Sequence, residues 1–183
     1  MLKAYLIFFV FGANFLGFWF FNSTALADAA KIEEISKIFL VRPDLRHEEE
    51  KIEIRGNRLE IRAWYDRPPN PNPDQMECLT YRWLLGGRGQ RLGEGAPGIF
   101  QKFPEIQTVY LELFELDPKT RSVDGRGQLE KTFEKTVYAK ALVRRSQLQA
   151  QNRTAEDWKA VLWEGLSSCL EAGRSLSIQK ELK

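Results

Sequence analysis

The chain has 183 residues, with 27 Lys and Arg against 25 Asp and Glu and a single His. So even a balance gives no global pull toward nucleic acid or an anionic membrane, and two cysteines with one histidine do not make a closed zinc site. The length suits one core-bearing domain that folds without metals or dense crosslinking.

The first 27 residues have the three parts of a secretory signal: Met1-Leu2-Lys3, an apolar run over 4–21, and Asn22-Ser23-Thr24-Ala25-Leu26-Ala27. Ala25 and Ala27 supply the small side chains of a cleavage site, so 1–27 is expected to be a signal peptide and 28–183 a single soluble α+β domain. An uncleaved anchor is the competing reading. The apolar run is about 18 residues, the lower edge of what spans a bilayer, and Asn14 with the polar residues after Phe21 weigh against it. Nothing later is apolar and long enough to span, so no membrane span is expected after cleavage. The expected localisation is therefore exported, periplasmic or extracellular. Losing Lys3 would leave 26 basic and 25 acidic side chains, a net charge near +1.

Residues 30–41 space Ile32, Ile35, Ile38 and Phe39 as an amphipathic helix ahead of Pro43. The polar stretch 47–51 follows. Ile52 and Ile54 then alternate with charges, as do Leu59, Ile61 and Ala63, and Gly56-Asn57 links the two runs. Such a link predicts a hairpin. Counting outward, Arg55 faces Arg58, Ile54 faces Leu59, Glu53 faces Glu60 and Ile52 faces Ile61, which leaves one face apolar and one charged.

Arg67-Pro68-Pro69-Asn70-Pro71-Asn72-Pro73 is a stiff extended connector. Asp74 is the expected N-cap of a helix over 75–85 that Gly86-Gly87 ends. A glycine-rich loop is expected over 86–98. Residues 108–116 alternate as a strand. A second long run places Phe133, Val137, Ala139, Ala141 and Val143 on one face, and Thr136, Tyr138, Lys140 and Arg144 on the other. Thr154 with Asp157 three residues on is a capping box, opening a helix striped with Trp158, Val161, Leu162, Leu166, Cys169 and Leu176. The order predicts an α+β fold, a mostly antiparallel four-stranded sheet with helices packed on one face. A Cys78–Cys169 disulfide is expected from the oxidising compartment and would close a loop of roughly 90 residues.

No motif names a reaction, and no cofactor or metal is expected. Gly93-Glu94-Gly95-Ala96-Pro97-Gly98 matches the dinucleotide spacing but does not leave a strand, and Pro97 removes a donor. His47 sits among Glu48, Glu49 and Glu50 as part of a solvated linker. Asn152-Arg153-Thr154 is a glycosylation sequon that the helix cap already explains. Two surfaces remain as candidates. One is the glycine loop with Arg88 and Arg91, flanked by Arg82 and Lys102, where guanidinium forks suit anions. The other is the outward sheet face with Arg62, Trp64, Tyr138 and Lys140, joined by Tyr110 and Phe114, where aromatics among charges suit a protein, peptide or glycan partner. The leading expectation is a non-enzymatic binding module. The alternatives are a hydrolase of envelope polymers using carboxylates near Asp66, Asp74 and Glu77, and a structural assembly subunit.

Overall fold

The computed structural model describes residues 28–39, 50–65, 69–70, 72–87, 95–122 and 129–182. The chain divides into two compact units, Met1–Glu34 and Ile35–Lys183. Of the first unit only 28–34 are described, all helical, with Lys31 and Asp28 paired at 3.7 Å. The expected signal peptide lies outside the described residues. Residues 28–39 are helical (α1), and Ile35 and Phe39, which belong to the second unit, are fully buried.

The second unit is a five-stranded mixed sheet with helices. Its strands are β1 (Lys51–Arg55), β2 (Arg58–Trp64), β3 (Thr108–Ser122), β4 (Leu129–Arg144) and β5 (Gln179–Leu182), lying in that spatial order. The β1–β2 hairpin has the register that the alternation predicts, Ile54 on Leu59 and Ile52 on Ile61, and Gly56 supplies the positive φ of 61° that its tight turn needs.

Two features differ from the expected four-stranded, mostly antiparallel sheet. β2 and β3 pair in parallel, because α2 (Pro73–Gly86) and α3 (Ala96–Lys102) carry the chain back to the start of the sheet between them. The fifth strand, β5, adds at the far edge of β4. Four residues with alternating charge and almost no apolar content leave no periodic trace in the sequence. α3 also occupies part of the expected glycine loop. Gly95, just before it, lies so close to the end of α2 that a Cβ would sit 2.5 Å from the Leu85 carbonyl carbon.

The inner face carries Leu59, Ile61 and Ala63, then Val109, Leu111 and Leu113, then Ala139, Ala141 and Val143, all buried. Helix α2 packs there, joined by α5 (Ala155–Trp163) and α6 (Leu166–Ser175); the short α4 (Arg145–Ala150) follows β4 directly. The single long helix expected after Thr154 is broken at Gly165, whose φ of 151° suits glycine alone. Thr154 does cap α5, accepting from the Asp157 N–H at 3.2 Å while Asp157 accepts from the Thr154 N–H at 2.8 Å. The cap of α2 is Asn72 rather than Asp74: its side chain accepts from the Asp74 N–H at 2.9 Å, and Pro73 takes the first helical position, where no N–H is missed.

Cys78 of α2 and Cys169 of α6 form a disulfide with a Cα–Cα distance of 5.5 Å. One residue before it, Glu77 is buried and accepts from the Tyr81 hydroxyl at 2.7 Å, pairs with Lys180 of β5, and lies 3.8 Å from Arg174 of α6. Burial alone would raise its pKa. The hydrogen bonds from Lys180 and Tyr81 outweigh burial and hold it below the usual glutamate value. Two adjacent residues of α2 thus fasten the last helix and the last strand to the core.

Candidate partner-binding face

Residues paired across neighbouring strands point to the same side of a sheet, so the outer face is built in rows. One row runs Arg55, Arg58, Thr108 and Arg144. The next runs Glu53, Glu60, Tyr110, Leu142 and Gln179, and the third Lys51, Arg62, Glu112, Lys140 and Glu181. Trp64 and Phe114 begin a fourth, with Val137 opposite Phe114.

Opposite charges meet between rows rather than within them. Glu60 is surrounded by Arg58 at 3.2 Å, Arg55 at 3.8 Å and Arg62 at 3.9 Å. Glu53 takes Arg55 at 2.7 Å and also Lys51, whose hydrogen bond is the main cause of its lowered pKa. Like charges opposed within the hairpin are therefore offset along the diagonals. The Arg58 guanidinium lies over the Tyr110 ring at 4.7 Å. Burial, and then the Glu112 carboxylate, push the Tyr110 phenol up to about 12, so it stays protonated. Glu112 pairs with Lys135 at 3.2 Å, and the Lys135 ammonium also sits 4.5 Å from the centre of the Phe114 ring.

Of the residues that the alternation assigns to this face, Arg62, Trp64 and Lys140 lie on it, all partly buried. Tyr138 does not. It is 1% exposed, and its hydroxyl donates inward to the Tyr65 carbonyl at 3.3 Å. The cause is a bulge in β4: Leu113 pairs with Ala139 and Phe114 with Val137, which leaves Tyr138 as an extra residue. The extra residue shifts the phase of everything before it. Val137 and Phe133 consequently share the outward face with Phe114, although the sequence places them with Ala139, and Phe133 is 57% exposed. Phe114 is on the expected face but fully buried.

Beyond the bulge, residues 115–122 and 129–137 form a two-stranded ribbon. β2 stops at Trp64 opposite Phe114, and β5 stops at Leu182 opposite Ala139. The ribbon's outward side carries Leu116, Pro118, Phe133 and Lys135, and its other side carries Glu115, Asp117, Glu134 and Thr136.

Arg88 and Arg91 lie outside the described residues, as do His47 and Asp66. Of the flanking cations, Arg82 braces the helices: its Nε donates to the Leu162 carbonyl at 2.9 Å and its guanidinium stacks on Trp163 at 5.0 Å. Asp74 is exposed at the start of α2, whereas Glu77 is buried and committed to Tyr81, Lys180 and Arg174. Among the described residues no three of His, Cys, Asp or Glu converge as a metal site, and no described helix is long and apolar enough to cross a membrane. A depression of about 380 Å³ beside α3 and α4 includes Arg145, but that guanidinium is occupied by the carbonyls of Phe103 and Ile106, each at 2.8 Å, and by the Phe100 ring.

Arg58 and Glu60 complete the face and escaped the sequence reading as functional residues. Their alternation with Leu59 and Ile61 marks them as outward. Only the parallel pairing of β2 with β3 brings them beside Tyr110 and Glu112.

No family model, curated protein or solved structure matches the chain.

Proposed function

We propose that the protein is an exported binding module that holds a protein, peptide or glycan partner on the outer face of its sheet, with no chemistry of its own. One observation carries this reading: among the described residues α2 packs against the sheet, with α5 and α6 against α2, while the outer face presents Arg62, Trp64, Glu112 and Lys140 in a continuous mosaic of charge and aromatic surface. Aromatic anchors ringed by charge are the usual composition of a recognition surface. The Cys78–Cys169 bond is compatible with the oxidising compartment that export implies. The test compares partner capture by the wild type with capture by a variant combining Arg62→Glu, Lys140→Glu and Trp64→Ala. Capture is expected to be abolished with the thermal transition unchanged; undiminished capture overturns the reading.

A second reading, a subunit of a larger assembly, is favoured by the ribbon that extends past both neighbouring strands and exposes Phe133. Sedimentation of the wild type beside Phe133→Glu tests it. Concentration-dependent association lost in the variant supports assembly, and a monomer at every concentration removes it.

A further inference from the structure

The chain's near-neutral charge conceals an asymmetry. Among the described residues the outer face gathers seven cations (Lys51, Arg55, Arg58, Arg62, Lys135, Lys140 and Arg144) against four carboxylates (Glu53, Glu60, Glu112 and Glu181), an excess of three. Within this face a depression of about 340 Å³ opens over Tyr110 and Leu142, walled by Arg58, Lys140, Gln179 and Glu181. Its volume is within the range of small-ligand sites.

The walls are prepared for a particular chemistry. Stacking on Tyr110 holds the Arg58 guanidinium in one plane, and because its Nε is buried, with no hydrogen-bond partner among the described residues, only the terminal nitrogens can meet a ligand. Glu60, 3.2 Å away, balances the charge without closing a hydrogen bond to that nitrogen. Across the depression Lys140 stands opposite Glu112 in the register. Glu112 gives its ion pair to Lys135, which leaves the Lys140 ammonium with no ion pair among the described residues. An oriented guanidinium fork and an ammonium suit a carboxylate. The interleaved carboxylates Glu60 and Glu181 disfavour a doubly charged phosphate. Gln179 and Glu181 on β5 offer an amide and a carboxylate, the mixed donors and acceptors that hydroxyl groups require.

We infer that this depression is a subsite for a carboxylate-bearing sugar, its acid group held between Arg58 and Lys140 and its hydroxyls by Gln179 and Glu181. The inference rests on the outer face being a binding surface, and it names the ligand class for one part of it.

The experiment is a titration of the full chain with glucuronate, followed by amide NMR signals, with glucose and inorganic phosphate as parallel arms. Saturable shifts of the Tyr110, Lys140, Leu142 and Gln179 signals by glucuronate alone are expected. Lys140→Gln is expected to weaken binding about tenfold, as is Arg58→Lys, which keeps the charge but loses the fork. Equal shifts by glucose overturn the role of the carboxylate. Stronger shifts by phosphate overturn the ligand class, and the absence of saturable shifts overturns the subsite. Capture lost in the Arg62, Trp64 and Lys140 variant with no response to glucuronate overturns this subsite alone. Glucuronate binding with capture intact overturns only the macromolecular partner on this face.

Discussion

Gly173 of α6 lies against the ring of Tyr81 of α2 so closely that a Cβ built on it would stand 1.9 Å from Cε2. Tyr81 is 1% exposed and hydrogen-bonded to Glu77, so the ring has nowhere to go. Alanine at 173 would gain about 1 kcal/mol of helix propensity but force the two helices apart, and overpacking of this kind costs about 1–3 kcal/mol. A contact this short makes the steric cost the larger effect. Gly173→Ala is expected to lower the urea midpoint at unchanged slope. A variant as stable as the wild type would show that the helices separate freely.

The disulfide beside that contact spans 91 residues of sequence. In the chain-entropy model, closing a loop of that size contributes about 4–5 kcal/mol, chiefly by restricting the unfolded chain. Reduction, or Cys78→Ala with Cys169→Ala, is expected to remove most of it in denaturant titrations. Coincident curves with and without reductant would assign the bond no part in stability.

Acid should loosen the same corner. The folded pKa of Glu77 lies below its usual 4.5, so its contribution is complete above that value and is lost as pH falls through the folded one. Glu77→Gln is expected to cost about 2 kcal/mol at neutral pH, the worth of hydrogen bonds to a charged group. The gap between wild type and variant should narrow progressively as the pH falls below the ordinary glutamate value of 4.5. A gap constant with pH would place the stabilising charge elsewhere.

The phase shift in β4 makes opposite predictions for two aromatics. Phe133→Ala, at an exposed ribbon position, should change stability by less than about 0.5 kcal/mol. Tyr138→Ala, in the core, should cost about 3 kcal/mol or more. Tyr138→Phe should leave partner capture untouched, because the side chain does not reach the outer face. A large cost at Phe133 with little at Tyr138 would restore the unbroken alternation.

These aromatics also mark where the sequence stops being legible. Alternation carried the β1–β2 hairpin in full, because Gly56-Asn57 fixes the count from a known origin. It carried Arg62 and Trp64 to the outer face for the same reason, and Lys140 because β4 keeps its register without interruption after Tyr138. It failed at Tyr138, because a single inserted residue reverses the phase without altering composition. The parallel pairing of β2 and β3 depends on the path of α2 and α3, and no local pattern records that path. β5 was hidden because its hold on the core includes the charge of Lys180 on Glu77 rather than an apolar face. At α2 the rigid geometry of Pro73 moved the cap to Asn72, two residues before the aspartate that propensity favours.

The attachment of α6 and β5 to adjacent residues of α2 also sets an order of events for a chain made from its N-terminus. Until Cys169 has been synthesised, Cys78 has no partner for its native crosslink. Until Lys180 arrives, Glu77 lacks one of its two cations and β4 keeps residues 139–142 as an open edge. A nascent chain therefore carries an unfinished sheet until residues 179–182 have been made, and the β4 edge stays open until β5 adds to it.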